Sequence, residues 1–220
     1  MTTILALETA TDGCSVALLH DSRMAQRQQV APRRHTTLVF EMMDAVLDEL
    51  ALSRSAVELV AFGHGPGTFT GVRVATSVAQ GVSLALNCPV LGISSLAALA
   101  RGAAQRGHEG RVAVLLDARR GETYYASFVA RDGEIERLLD DQLIAPTELL
   151  LAPGDDWLGV GNGWLEYREQ LPSAYRALVP SEPGWPQAAD TACLARDALS
   201  TSVGLRAENA QPMYLRGAVD

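Results

Sequence analysis

Residues 57–86 read VELVAFGHGPGTFTGVRVATSVAQGVSLAL, and they contain the change from strand to helix that determines the fold. Val57–Phe62 is a short apolar run, typical of a buried strand. The glycine-rich turn Gly65–Gly71 follows, and a helical period continues from about Thr70 to Leu86. A strand, a tight turn and a helix in this order indicate an α/β protein.

The first half of the chain opens as a β-meander rather than as a β-α-β unit. Its turns are marked by clusters such as Thr9–Gly13, and its first helix carries a wide apolar stripe. Strands are predicted at 4–8, 14–19, 24–30, 57–62 and 89–93, and helices at 35–50, 70–86 and from 94 or 95 to 104.

The second half begins again with strand, turn, strand, which predicts two related α/β lobes. Strands are expected at 112–116, 123–130 and 157–160, with a hairpin turn at 131–134, a short helix opening at 146 and a helix at 188–199. The polar, glycine-rich stretch 102–110 is taken as the boundary, giving lobes at 1–105 and 106–220. The helix at 188–199 is a candidate to pack back onto the first lobe.

Composition excludes several classes of function. The net charge is −8, which disfavours direct binding to nucleic acid. All 18 basic residues are arginine, so a P-loop lysine, a Schiff-base lysine and a Ser–Lys dyad are absent. The three cysteines are far apart in sequence and show no metal or redox spacing. No signal peptide is recognised, and a cytoplasmic location without membrane contact is expected.

A stretch without charge predicts a docking surface. No Asp, Glu, Lys or Arg occurs from Val74 to Ala100, and the polar residues within it argue against a membrane span. The second helix has an apolar ridge and a ridge of small residues, and small ridges allow close helix approach. The predicted partner interface comprises Leu38, Met42, Met43, Val46, Gly71, Val74, Ala75, Val78, Ala79, Val82 and Ser83.

The alternative is that the second lobe or the C-terminal helix covers this face within the chain. A charge in the small ridge, such as Ala79→Glu, is expected to abolish partner binding and to leave the fold mostly intact.

The glycine-rich turn has two interpretations. Backbone N–H groups at a helix start can hold an anion, which makes Thr9, Gly65, Gly67 and Thr68 weak candidates for phosphate or nucleotide contacts. The alternative is a tight turn without a ligand, and the absence of GK[ST] excludes a P-loop.

Several motifs together resemble one family. They are ILALETAT at 4–11, His35-Thr36, GPGTFTGVR at 65–73, DARRGE at 117–122 and PMYLR at 212–216. In this order, and over almost the whole chain, they resemble the TsaB (YeaZ) family. The resemblance implies a two-lobed actin/Hsp70-like fold with ribonuclease H-like lobes, and a role in making N6-threonylcarbamoyladenosine at position 37 of tRNAs that read codons beginning with A.

The resemblance also implies partners. A related enzyme, TsaD, transfers threonylcarbamoyl from its adenylate, and TsaB-like proteins bind it through their first two helices, which match 35–50 and 70–86 here. We therefore expect a TsaD-like enzyme and a TsaE-like ATPase as partners. We further expect tRNA contact only through the complex, a homodimer when alone, and ATP or ADP at the complex interface rather than on the lone chain.

The residues predict a non-catalytic role. The related enzyme carries an HxxxH metal motif, and the corresponding positions here are Ser95 and Leu99. No two of the four histidines lie at helical ligand spacing, so neither a metal nor a catalytic residue is predicted. Glu8, Asp12 and Asp117 lie at predicted strand ends, where this fold class places phosphate and metal contacts, and the preferred interpretation is turn capping or a surface charge pair. Glu8 stands where many relatives carry Asp, and its longer side chain disfavours close metal coordination. The open alternatives are an independent ATP-binding enzyme of the actin-like class and a peptidase.

Overall fold

Two mixed β-sheets organise the computed structural model, which describes residues 2–200 and 204–216. The chain forms two compact units. The first contains the residues up to Ala98 and Pro186–Met213, and the second contains Leu99–Trp185 and continues from Tyr214. The predicted two-lobed α/β class is confirmed.

The sheet of the first unit has five strands in the order β3-β2-β1-β4-β5. The strands are β1 (Thr3–Glu8), β2 (Gly13–His20), β3 (Arg23–Val30), β4 (Leu59–Gly65) and β5 (Val90–Ser94). β2 pairs antiparallel with both β1 and β3, whereas β4 runs parallel to β1 and to β5. The meander predicted from the sequence therefore forms one half of the sheet, and parallel strands form the other.

Three long helices follow strands of this sheet, and a fourth lies near the C-terminal end of the described residues. They are α1 (His35–Leu50), α2 (Phe69–Leu86), α3 (Ser95–Gln105) and α5 (Ala188–Ala198). Thr68 caps the start of α2, since its side chain accepts a hydrogen bond from the Gly71 N–H. Both α1 and α2 end at a left-handed residue, Ala51 and Asn87 respectively.

Strand β1 shows why the helices lie where they do. All six of its residues are buried, and its four apolar residues alternate between two apolar clusters. Leu5 and Leu7 belong to the cluster that includes α1 and α2, whereas Ile4 and Ala6 belong to the cluster that includes α5. This alternation follows the two-residue period of a strand, and it requires a helix layer on each face.

Helix α5 packs against the sheet through small side chains. Ala188, Ala192 and Ala195 are fully buried and face small sheet residues such as Ala17 and Ala61. Because the buried face of α5 is formed by alanines and Thr191, the helix backbone can lie close to the strands.

The second unit repeats the arrangement with four strands, in the order β8-β7-β6-β9. They are β6 (Gly110–Asp117), β7 (Thr123–Arg131), β8 (Glu134–Ile144) and β9 (Trp157–Val160), and a short helix α4 spans Gly163–Glu166. β6, β7 and β8 form an antiparallel meander, and β9 runs parallel to β6. This is the connectivity of β1 to β4, as expected for two ribonuclease H-like lobes. Its core includes Leu115, Trp157 and the fully buried Trp164.

The sequence placed most elements within two or three residues, with two omissions. β8 was not predicted as a strand, and α4 was not predicted at all; the short helix expected after residue 146 is a 3-10 turn at Pro146–Glu148. Within the described ranges, no helix has both the length and the apolar character that would be needed to cross a membrane.

The close packing of α5 predicts the effect of enlarging one of its alanines. Ala192→Leu should lower the free energy of unfolding by about 1–3 kcal/mol, because extra carbon atoms have no room between helix and sheet. Arg196→Leu, at an exposed position of the same helix, is the matched control and should change stability by less than about 0.5 kcal/mol. Urea denaturation of both variants measures this, and equal stabilities would contradict the packing described for α5.

Candidate functional site

Glu8 is the last residue of β1, and its side chain is buried. It is 1% exposed, and its carboxylate accepts hydrogen bonds from the Ala10 N–H at 2.9 Å and the Ser95 hydroxyl at 3.0 Å. Gly63 lies directly opposite, where a Cβ atom would approach Glu8 Oε2 to 2.0 Å. The backbone of Gly63 therefore closes this side of the carboxyl group.

Burial changes the acidity of this carboxyl group. Desolvation raises the pKa of Glu8 from 4.5 to about 7, against the opposing effect of hydrogen bonds from Ala10, Ser95 and Thr9. Burial, and secondarily the charge of Glu8, raises the pKa of the Cys14 thiol to about 11. No basic residue contributes to either shift, so Glu8 is an isolated buried acid.

The glycine-rich turn packs against the turn between β1 and β2. The Thr68 N–H donates to the Ala10 carbonyl at 2.7 Å, and the Thr9 hydroxyl donates to the Gly71 carbonyl at 2.8 Å. A Cβ atom on Gly67 would lie 2.2 Å from the Ala10 carbonyl oxygen. Glycine is required here because two backbone segments touch.

These contacts account for the predicted phosphate candidates. Thr9, Gly67 and Thr68 are engaged with the neighbouring turn and the start of α2, and Gly65 lies beside the Met213 carbonyl. The structure thus gives each of them a packing or hydrogen-bonding role within the chain. Their contact with a nucleotide stays a prediction.

The other polar residues singled out in the sequence are scattered. Asp117, at the end of β6, accepts hydrogen bonds from the Arg119 N–H and the Tyr167 hydroxyl. His35 is buried at the start of α1, and its Nε2 atom has no hydrogen-bond partner within the described residues. Ser95 and Leu99, which correspond to the metal motif of the related enzyme, are both buried. In the parts of the chain that the structure describes, no three His, Cys, Asp or Glu side chains come together as metal ligands.

The predicted partner interface is only partly on the surface. The small ridge of α2 faces its own sheet: Ala75 and Ala79 are fully buried, and Gly71 and Ser83 are also buried. Of the residues in α1, Leu38, Met42, Met43 and Val46 belong to the core. The expectation for Ala79→Glu was therefore wrong, because a charge there would enter the core and unfold the chain.

The apolar ridge of α2 is placed differently. Val74, Val78 and Val82 are half-buried, and a groove of about 500 Å³ opens between α1 and α2 beside Val78 and Val82. Phe40, Met43, Leu47, Val78, Val82 and Leu86 line it. The rim carries the exposed ion pair of Asp44 with Arg54, at 2.5 Å.

Gly81 lies at an exposed position of this groove. It lies in the middle of α2, it is exposed, and a Cβ atom built on it would meet nothing within 4 Å. Ser77 and Ala85, one turn before and after it, also line the groove. Sequence reasoning missed this stripe, although a glycine inside a helix with no internal contact was a visible signal.

The raised pKa of Glu8 predicts a pH-dependent stability. The folded state favours the protonated form of Glu8. The contribution of this group to the free energy of unfolding is therefore fully present below pH 4.5 and is lost as the pH rises through 7. In Glu8→Gln the amide oxygen can accept from the Ala10 N–H and the amide nitrogen can donate to Ser95 Oγ, without a charge to bury. The variant should therefore be more stable than wild type at pH 8 by on the order of 3 kcal/mol. At pH 5 the difference should be small.

Urea denaturation at pH 5 and pH 8 measures this difference. Glu41→Gln, on the exposed face of α1, is the control. If Glu8→Gln were less stable than wild type at pH 8, the ionised carboxylate would be the stabilising form, contrary to this prediction.

The chain is similar to known proteins over most of its length. Residues 22–167 match the family model described as TsaD: tRNA N6-adenosine threonylcarbamoyltransferase. The tRNA threonylcarbamoyladenosine biosynthesis protein TsaB of Escherichia coli is 32% identical, covering 98% of this chain and 95% of that protein. The protein of the same name from Haemophilus influenzae is also 32% identical, covering 99% and 94% respectively.

Solved structures agree. A Pseudomonas aeruginosa crystal structure, described as an uncharacterized protein with similarity to peptidase YEAZ, superposes with a TM-score of 0.91 at 40% identity. It covers 98% of this chain and all of that one. A second structure, described as YeaZ from the same organism, has a TM-score of 0.86 at 39% identity. Identity at this level over nearly the full length of each protein shows that the chain belongs to the TsaB (YeaZ) family.

Proposed function

We propose that the chain acts in the synthesis of N6-threonylcarbamoyladenosine at position 37 of tRNAs that read codons beginning with A. Its role is that of a non-catalytic partner of the TsaD-type enzyme that transfers threonylcarbamoyl from threonylcarbamoyl-AMP. The names of its relatives in Escherichia coli and Haemophilus influenzae support the pathway. The observation that carries the partner role is the open apolar groove between α1 and α2.

The groove has the composition of a docking surface. Phe40, which lines the groove, is 53% exposed, and Val78 and Val82 of α2, which line it as well, are half-buried. An exposed apolar area with a polar rim is typical of a protein interface. Arg73 is the only charged residue of α2, so a docking helix would leave few charges without water.

Gly81 supports a helix as the occupant of the groove. Helix axes approach most closely, near 8 Å, where small residues lie at the crossing point. A glycine inside a helix costs about 1 kcal/mol relative to alanine, and no contact within the described residues explains its presence. The stripe of Ser77, Gly81 and Ala85 would accommodate the backbone of a partner helix.

The family match supports a TsaD-type enzyme as the source of this partner helix. The TsaD family model matches residues 22–167, a range that includes both α1 and α2. A TsaD-type enzyme therefore shares this part of the fold and carries corresponding helices. Two helices from each protein would pack together, and the apolar side chains of both pairs would leave water.

The chemistry of the first unit supports a partner role rather than catalysis. Glu8 is enclosed by Gly63 and Ser95, and the two positions that correspond to the metal-binding histidines of the enzyme are buried Ser95 and Leu99. Contact with a TsaE-like ATPase, tRNA binding through the complex, ATP or ADP at the complex interface, and a homodimer of the lone chain remain predictions from the family resemblance.

A substitution at Gly81 separates docking from folding. Gly81→Arg should leave the fold intact, because its side chain enters open space, and should raise helix stability by a few tenths to about 1 kcal/mol. Binding to the TsaD-type enzyme of the same organism should weaken at least tenfold, since the arginine blocks close approach.

Asp48→Arg is the matched control, because it places the same side chain on an exposed position of α1 that does not line the groove. Isothermal titration calorimetry gives the affinities, and thermal denaturation gives the stabilities. If Gly81→Arg bound the enzyme as tightly as Asp48→Arg does, the groove would not be the docking site.

Reconstitution tests the function as a whole. We expect the lone chain to transfer no threonylcarbamoyl to tRNA, and we expect its addition to increase transfer by the TsaD-type enzyme. Wild type, Gly81→Arg and Asp48→Arg are compared in the same assay. Turnover by the lone chain, with ATP or with a metal ion, would favour the alternative of an independent enzyme.

A further inference from the structure

The loop between β6 and β7 has an unfavourable backbone conformation. Arg119, Arg120 and Gly121 are consecutive left-handed residues, with φ of 62°, 60° and 78°. Glycine adopts this conformation readily, but side chains with a Cβ atom seldom do, and two in succession require support from their surroundings. The loop is therefore held in place by contacts outside its own backbone.

One support is the carboxylate of Asp117. Its side chain is 4% exposed, and Oδ1 accepts hydrogen bonds from the Arg119 N–H and the Tyr167 hydroxyl, both at 2.7 Å. Oδ2 lies 2.9 Å from Arg119 Nη1. Burial and the hydrogen bond to Asp117 raise the pKa of Tyr167 to about 12, so the hydroxyl keeps its proton and remains a donor.

The other support is Arg216 from the C-terminal segment. Its guanidinium donates to the carbonyl oxygens of Ala118 at 3.2 Å and Arg119 at 3.4 Å, and it pairs with Glu122. The two sequence motifs DARRGE and PMYLR therefore meet at this loop within the second unit. Together with Asp117, Arg216 fixes the direction of the loop.

Arg120 differs from its neighbours. Arg119 and Arg216 are each bound to an acidic residue, whereas the exposed side chain of Arg120 has no hydrogen bond or ion pair with any described residue. A rigid loop thus presents an uncompensated cation in a chain whose net charge is −8. Rigidity lowers the entropic cost of binding, and a guanidinium group matches the geometry of a phosphate.

We infer that Arg120 contacts a backbone phosphate of the tRNA bound by the complex of this chain with its TsaD-type partner. The inference rests on the proposed function, which brings tRNA to the complex. The acidic character of the rest of the chain would keep this contact local, so Arg120 would orient the tRNA rather than supply its main affinity.

The salt dependence of tRNA binding by the complex tests this contact. Each phosphate contact that is lost reduces the slope of log K against log[NaCl] by about one. We expect Arg120→Gln to bind tRNA several-fold more weakly than wild type at low salt, with a slope lower by about one. Arg120→Lys should retain most of the slope, because the charge remains.

Arg131→Gln is the control, since Arg131 is exposed at the opposite end of β7 and its loss should leave the slope unchanged. Fluorescence anisotropy with labelled tRNA measures the affinities, and size-exclusion chromatography measures complex formation. A wild-type slope in the Arg120→Gln complex overturns the inference alone. Loss of the TsaD-type partner in that variant assigns Arg120 to a protein contact and also overturns it. If the wild-type chain formed no complex with the TsaD-type enzyme, both the proposed function and this inference would be contradicted.

Discussion

Strand β1 has no residue that faces water, and the arrangement of the first unit follows from this constraint. A strand buried on both faces needs a helix layer on each side, and it needs neighbours that satisfy its backbone on both edges. β2 and β4 supply the edges, α1 and α2 cover one face, and α5 covers the other. With its inner side committed to the sheet, α2 has only its outer side available for another molecule.

The two units share a feature at the end of their central strands. Glu8 ends β1 and Asp117 ends β6, and each accepts a hydrogen bond from the backbone N–H two residues later and another from a side-chain hydroxyl. In each unit, a strand parallel to the central one ends in glycines, at Gly63 and Gly65 and just after Val160. Both acids are thus committed to internal hydrogen bonds.

The sequence predicted the positions of most strands and helices along the chain well, because periodicity and turn residues carry that information locally. It was wrong about which side of α2 is exposed. Two ridges with a four-residue period lie about 100° apart on a helix, and α2 is neutral on nearly all sides, so polarity could not identify the side that packs on the sheet. The side of α2 that packs on the sheet is determined by the residues of β1 and β4 that face it, and these strands come together only in the folded protein. β8 was not predicted because it contains many polar residues, as is common in an exposed edge strand. The turn at Asp132–Gly133 nevertheless indicated a hairpin, and a hairpin requires a second strand.

The position of α5 has a consequence for synthesis of the protein. The strands that it covers end by Ser94, yet the helix begins only at Ala188, after the whole of β6 to β9. During translation at about 5–20 residues per second, the sheet made by the first strands would wait on the order of ten seconds for its second cover. Throughout that interval the nascent chain would expose the apolar sheet face that includes Ile4, Ala17 and Ala61.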